Sequence, residues 1–242
     1  MAQRRQLALF SWFTLLILLF ANVSTVFAFG WGNVPVQAVD ARFFSQTGFR
    51  IDNDQFWDYF QHRGGVNTFG YPISRAFTLL GKTTQFFQRR VIEIEPGGTV
   101  GQLNILGSDI LPYTSFNFAT IPATDPALIA SAPAVGSPNY AAAAISFVNQ
   151  HVPNSFSGMP VNFLNTYQNT VSLSTAFPSG GGNPALLPGF DFEMWGLPLS
   201  EPAVDPHNSN FVYQRFQRGI MHYDNTTHTT QGLLLGDYFK SI

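Results

Sequence analysis

The sequence predicts an α+β fold made of two related helix-plus-β-hairpin units joined by a partly helical segment. Three observations carry that expectation. Residues 84–107 (TQFFQRRVIEIEPGGTVGQLNILG) and 213–236 (YQRFQRGIMHYDNTTHTTQGLLLG) align without a gap. Each copy alternates apolar and polar residues around a turn, the pattern of a β-hairpin. Between the copies runs a stretch broken by prolines that also contains the best helix signal in the chain.

Within the duplication, Gln85, Phe87, Gln88, Arg89, Gln102, Leu106 and Gly107 pair with Gln214, Phe216, Gln217, Arg218, Gln231, Leu235 and Gly236. An aromatic-Gly-x-Pro-aliphatic-Ser tag precedes each copy, Phe69 to Ser74 and Trp195 to Ser200. A repeated segment implies a repeated structural task, because each repeat is one folding unit that buries its apolar face against a neighbour.

From the N-terminus, Arg4 and Arg5 precede an apolar run from Leu7 to Phe20, and Val26-Phe27-Ala28 follows. This is the layout of a secretory signal peptide, with cleavage expected after Ala28. The alternative is an uncleaved anchor, since Leu7 to Phe29 is long enough to cross a bilayer. Residues 29–111 then form the expected first repeat unit. Arg42 to Phe49 reads as extended. Asp52 to Arg63 reads as a helix capped by Asp52 or Asn53, with Phe56, Trp57 and Phe60 as its apolar stripe and Gly64-Gly65 ending it. Phe69 to Ser74 is a Gly-Pro turn. Thr84 to Gln88 and Val91 to Glu95 are the hairpin strands, and Pro96-Gly97-Gly98 is a second turn.

Residues 112–190 are the connecting segment. Prolines 112, 122, 126, 133 and 138 punctuate its first part. A helix is expected over about 137–152, with Ser137 as cap, Pro138 in the first turn and Ala141 to Ala144 favouring helix. Met159 to Gln168 offers a second short helix, and 178–188 a loop. Residues 191–242 are the second repeat unit, with strands near Phe211 to Gln217 and Ile220 to Asp224, a polar turn at 225–230 and a helix from Gly232 to Ile242.

Composition narrows the function. The chain has no cysteine, so neither disulfides nor a thiol nucleophile nor a lipoprotein anchor is available. Without Arg4 and Arg5, 10 basic residues stand against 14 acidic ones, and no basic patch suits nucleic acid. Between Ile110 and Phe190 the only formal charge is Asp125. That neutrality suits a segment that wraps on the rest of the protein or meets an uncharged partner. No G-x-S-x-G elbow, H-E-x-x-H, phosphate-binding loop or dinucleotide fingerprint occurs.

The candidate ligand-binding residues are Glu93, Glu95, Trp195, Tyr213, Arg218, His222 and Asp224. In a strand, residues two apart share a face. Ile92 and Ile94, and in the second copy Met221 and Tyr223, are expected to face the core. Glu93 with Glu95, and His222 with Asp224, then point outward as polar doublets suited to sugar hydroxyls or a cation. Plain strand alternation places polar residues there equally well. His222, Asp224 and His228 have side chains that suit zinc, yet their spacing matches no strong motif and the first copy has no histidine, so no metal or cofactor is expected. Glu93 and Glu95 on one strand face cannot flank a bond as glycosidase carboxylates do. Arg89 and Arg218 can fork onto an anion or fix the repeat through backbone carbonyls. Trp57, Trp195, Tyr213 and Tyr223 can stack on sugar rings or fill the core, and Trp195, placed in a loop tag, is the best surface candidate.

The tag, the Gln-x-Phe-Gln hairpin, the polar turn and the closing Leu-Gly together resemble the LGFP repeat of bacterial cell-envelope proteins. Residues 40–242 are also similar to a family of exported proteins of filamentous green non-sulfur bacteria, through GGVNTFGYPIS (64–74), FVYQRFQRGIMHYD (211–224) and TQGLLLGDYFKSI (230–242). Phe69 and Trp195 stand where LGFP repeats have Leu, and only two copies are evident. The resemblance implies a secreted or cell-surface module that helps hold proteins to the cell wall, and it supplies no catalytic residues. The leading expectation is therefore a non-catalytic envelope module that binds a surface glycan or surface protein. A structural subunit of a surface or membrane-associated assembly and a secreted hydrolase of unfamiliar type are the alternatives.

Overall fold

A computed structural model describes residues 40–106, 114–116 and 119–242. The expected signal segment 1–28, the lead-in that follows it and Gly107 lie outside the described residues. The fold is α+β, with helices packed against antiparallel sheets. Among the described residues no helix is long and apolar enough to cross a membrane.

The extended start is a small hairpin, β1 (Phe43–Phe44) and β2 (Phe49–Arg50). Helix α1 (Asp54–His62) follows, and Asn53 caps it by accepting hydrogen bonds from the amides of Gln55 and Phe56. Phe56 and Phe60 are buried as the apolar stripe requires, with Tyr59 beside them. A short helix α2 (Gly65–Phe69) leads into the first tag. The hairpin then proves to be the centre of a four-stranded meander: β3 (Phe77–Leu79), β4 (Lys82–Phe86), β5 (Val91–Ile94) and β6 (Val100–Gln102). The two outer strands are short and weakly alternating, which hid them in the sequence.

The connecting segment holds a two-stranded ladder, β7 (Ser115–Phe116) with β8 (Ala119–Thr120), and four helices. These are α3 (Pro126–Ser131), α4 (Tyr140–His151), α5 (Phe163–Gln168) and α6 (Leu173–Ala176). Ser137 does not cap α4. Its carbonyl accepts from the Tyr140 amide in a turn, and Asn139, at φ 58°, starts the helix three residues late. The expected loop at 178–188 ends in a 3₁₀ turn (Pro184–Leu186) that runs into α7 (Leu187–Trp195). The second meander is β9 (Ala203–Asp205), β10 (Asn208–Phe216), β11 (Gly219–Asp224) and β12 (Thr229–Gly232). Residues 229–232 are thus a strand, and the last helix α8 (Leu235–Ser241) begins later than the sequence suggested.

Both meanders use the same set of locks. Helices α2 and α7 each end on a left-handed glycine, Gly70 (φ 74°) and Gly196 (φ 70°). A β-carbon at Gly70 would lie 2.6 Å from Cβ of Gln88, and one at Gly196 2.7 Å from Cβ of Gln217. Those two glutamines accept from the Tyr71 and Leu197 amides through Oε1 at 3.1 and 3.0 Å. Ser74 Oγ accepts from the Phe86 amide, and Ser200 Oγ from the Arg215 amide. Fully buried Gln85 donates to the carbonyls of Ser74 and Arg50, as fully buried Gln214 does to those of Ser200 and His151. Buried amides need such partners, so the Gln, Ser and Gly positions shared by the two copies are accounted for by backbone satisfaction.

Two apolar cores result. The larger gathers Phe56, Phe87, Ile92, Phe163, Met194 and Met221 with residues of every helix from α3 to α7. The smaller gathers Val91, Phe116, Ile121, Tyr213, Ile220 and Leu235. Successive residues of β5 and β11 alternate between the two, so both central strands are covered on both faces. Arg90 joins the meanders. It is 3% exposed, its Nη1 donates to Met194 O (2.6 Å) and Arg218 O, and its guanidinium sits 4.5 Å from the Trp195 ring centroid. Burial pulls its pKa down to about 9, which leaves it charged at neutral pH. Helix α8 returns to the first meander, where the Asp237 amide donates to Gln88 O and Lys240 Nζ to Ile73 O.

One carboxylate in α7 lies in the larger core's helical layer. Asp191 is 2% exposed, and its Oδ1 accepts from the Val171 amide at 2.9 Å, fixing the α5–α6 connection. Desolvation pushes its pKa up to about 7. The folded state therefore holds a proton that the unfolded chain has released between pH ~3.9 and that value. Stability falls as pH rises through this window. Asp191→Asn should remove about 2–4 kcal/mol of that fall, read from urea unfolding of both proteins at pH 5 and pH 8. The packing of α8 predicts a contrast between two glycines. A β-carbon at Gly236 would lie 1.9 Å from Phe87 O, whereas one at Gly189 on the open face of α7 meets nothing within 4 Å. Gly236→Ala should cost roughly 1–3 kcal/mol or more, and Gly189→Ala should stabilise by up to ~1 kcal/mol, measured as opposite shifts of the denaturation midpoint.

Candidate functional site

The expected outward doublet of the first meander is not a free surface. Glu93 is 5% exposed, and Lys82 Nζ binds its Oε1 at 2.8 Å and Glu95 Oε2 at 2.7 Å. The reason is the unforeseen strand context: β5 is flanked on both sides, and its second face lies on the smaller core. The Lys82 hydrogen bond is the first cause holding the Glu95 carboxyl below its usual range. Asp224 is likewise spent locally, accepting from the amide and hydroxyl of Thr226 in the β11–β12 turn, which keeps its pKa low. His228 Nδ1 lies 3.1 Å from Tyr223 OH. Among the described residues no group of three or more acidic or histidine side chains is placed to hold a metal ion.

The aromatic candidates are corrected too. Trp195 ends a helix instead of standing in a loop, and it is 5% exposed. Arg90 lies over its ring, a β-carbon at Gly219 would press it at 2.8 Å, and its Nε1 donates to Thr170 Oγ1 at 2.7 Å. No broad face is left for stacking on a sugar. Tyr213 is buried in the smaller core. Arg218 extends its Nη1 toward Phe192 O at 3.5 Å, near the C-terminal end of α7, where the helix dipole favours positive charge.

The equivalent arginine of the first repeat is different. Arg89 is half-buried, and among the described residues its guanidinium makes no hydrogen bond and no ion pair. Asp237 acts on it only at long range, and desolvation lowers its pKa. Two recesses share Arg89, Gln231 and Gly232 as lining. One, of about 240 Å³, is walled by Asn67, Asn165, Asn169, Thr166, Thr170 and Thr230, with Trp195 adding the little surface it has left. The other, of about 380 Å³, is more apolar and includes His222, Phe116, Leu233 and Tyr238. His222 is half-buried there; its Nδ1 has no partner, and burial lowers its pKa, so the ring is neutral at pH 7.

The structure thus places Trp195 and His222 on the two recesses around Arg89, with buried Tyr213 paired across the strands from His222 (ring centroids 6.1 Å apart), and leaves Glu93, Glu95, Arg218 and Asp224 elsewhere. The asparagines and threonines of the first recess carried no sequence signal, because α2, α5 and β12 converge only in three dimensions. Chemically the smaller recess presents amides, hydroxyls and one cation, and the larger adds the neutral imidazole of His222.

No family model, curated protein or solved structure matches this chain. The Lys82 pairing yields a check of its own. Lys82→Met strands Glu93 in a buried place without its cation and should cost about 1–3 kcal/mol at pH 7. The gap to wild type should begin to narrow as pH falls below the ordinary Glu value of ~4.3 and close once the depressed Glu95 carboxyl takes up its proton and the Lys82 pairing of the wild type weakens; urea titrations at pH 7 and at steps down into the acid range measure it.

Proposed function

We propose that this chain is an exported, non-catalytic cell-envelope module that binds a surface glycan in the cleft around Arg89. The observation that carries the reading is a half-buried guanidinium with no protein partner, facing a wall of neutral hydroxyls and amides. A partly desolvated arginine with only a distant counter-charge, Asp237, gains from a ligand that supplies a direct one, and Arg forks onto carboxylates in a fixed bidentate geometry. Hydroxyl and amide groups of Asn, Thr and Gln side chains suit the many hydroxyls of a saccharide. A carboxylate-bearing sugar meets both demands. The basic start and apolar run of residues 4–28 support export.

The same reading takes the fold as two related helix-plus-hairpin units packed together. The matched locks at Gly70 and Gly196, Gln88 and Gln217, and Gln85 and Gln214 support it. On this view Arg89 and Arg218 began as equivalents, and only Arg89 opens onto a cleft formed with the other unit. Conversion of one repeat arginine into a ligand-binding group while its twin stays on the backbone is the division of labour that duplication permits.

The test is retention of the full-length protein on peptidoglycan, acidic surface glycan and neutral glycan, immobilised separately. Retention on a carboxylate-bearing glycan, weakened by salt because exposed charge pairs are screened, is the expected result. Arg89→Ala should reduce it by about tenfold or more, the worth of a charge-assisted hydrogen bond. Capture on no glycan, or equal capture of wild type and Arg89→Ala, overturns the reading.

A further inference from the structure

A second cavity, separate from the Arg89 cleft, opens among the helices of the connecting segment. Its volume is about 280 Å³. Val148, Tyr167 and Asp191 form its buried end, and Ile145, Leu187 and Pro188 supply most of the remaining apolar wall. The rim amides Gln168 and Asn149 are already joined to each other at 3.0 Å. The size sits at the small end of the range for ligand sites, and an apolar lining with very few polar groups is their usual character.

Asp191 is what makes the cavity more than a packing defect. The Val171 amide satisfies Oδ1. Oδ2 accepts no hydrogen bond from any described residue, and among the described residues no cationic side chain lies within ion-pair distance of it. Oδ2 keeps a little accessible surface. A carboxylate oxygen is thus presented at the inner end of an apolar recess. The raised pKa of this carboxyl agrees with its having no cation beside it. Tyr167, the other polar group at that end, donates its hydroxyl hydrogen to Gly196 O at 3.0 Å, so it does not compete for Asp191.

We propose that this cavity binds a small amine with an apolar body, the ammonium on Asp191 Oδ2 and the hydrocarbon against Ile145, Val148 and Leu187. The ligand provides the counter-charge that the fold withholds, and its apolar part displaces water from a wall that offers water few partners. A neutral molecule of the same shape gains the apolar contact alone. A carboxylate ligand is repelled. No bond is made or broken in this event.

The probe pair is cyclohexylamine and cyclohexanol, titrated into the full-length protein at pH 7.5 by calorimetry, with the carboxyl carbon of Asp191 followed by NMR. Cyclohexylamine should bind at least about tenfold more tightly than cyclohexanol, the difference a charge-assisted contact makes. It should also move the Asp191 carboxyl signal toward the ionised form. Asp191→Asn keeps an acceptor for the Val171 amide and should erase the preference for the amine. Leu187→Trp, which fills the mouth, should weaken both probes and decides the matter if Asp191→Asn folds poorly. Equal affinity for the two probes, no binding of either, or an amine preference that survives Asp191→Asn overturns the proposal. None of these outcomes depends on the glycan retention that tests the Arg89 cleft.

Discussion

The contact on which the arrangement of the two meanders depends is the burial of Arg90. Its guanidinium leaves the β4–β5 turn of the first meander and lies over Trp195, with hydrogen bonds to Met194 O and Arg218 O. A buried cation is expensive, so it persists only where several groups hold it. Here the acceptors are carbonyls, one of them in the last turn of α7, where the helix dipole favours positive charge. The ring adds its electron-rich face. Because the guanidinium is rigid and planar, these partners fix the spacing and angle of α7 and the β10–β11 turn relative to the first hairpin. The position equivalent to Arg90 in the second copy is Gly219, which leaves the room that Arg90 and Trp195 occupy. The two meanders therefore differ where they meet.

Around that contact the two meanders satisfy their backbone in the same manner. A left-handed glycine ends a helix, a glutamine fills the space that a β-carbon would take, and a serine and a second glutamine tie the tag to the central strand. Polar side chains at zero exposure are costly unless paired, and Gln85 and Gln214 each bond two carbonyls through one amide nitrogen. One of those carbonyls belongs to Arg50 in the first case and to His151 in the second. The end of α4 thus occupies, for the second meander, the place that β2 occupies for the first. The connecting segment also provides much of the larger core, from Leu128 to Ala176. Its lack of charge follows from that burial.

Adjacent arginines of the first repeat have opposite fates. Arg90 is consumed by structure, whereas Arg89 is left half-buried at the junction of two recesses. Arg218, its counterpart, turns to a helix carbonyl. The difference arises from neighbours: β12, α2 and α5 converge on Arg89, while α7 ends beside Arg218. The proposed glycan site at Arg89 and the proposed amine site at Asp191 therefore draw on different parts of the fold, one where the two meanders meet and one inside the helical segment.

The sequence by itself determined the local elements whose signals are contained in short stretches. The hairpin cores, the α1 stripe of Phe56 and Phe60, the turn at Gly70 and the inward faces of Ile92 and Met221 were all legible, because periodicity and turn chemistry act over a few residues. It also singled out Trp195 and His222, and named Arg218 in place of Arg89 among the candidate ligand groups. The tertiary structure alone decided what covers the second face of each sheet. Alternation marks two faces but does not say whether the other one meets water, so Glu93 reads as a surface group and is buried, and Tyr213, open to either reading, lies in the smaller core. Outer strands such as β6 and β12 depend on pairing with a partner already in place, and their own residues carry little preference. The recess around Arg89 and the isolation of Asp191 are relations between residues far apart in the chain. Burial, and the charge state it imposes, is a property of the packed assembly and has no signature in a single segment.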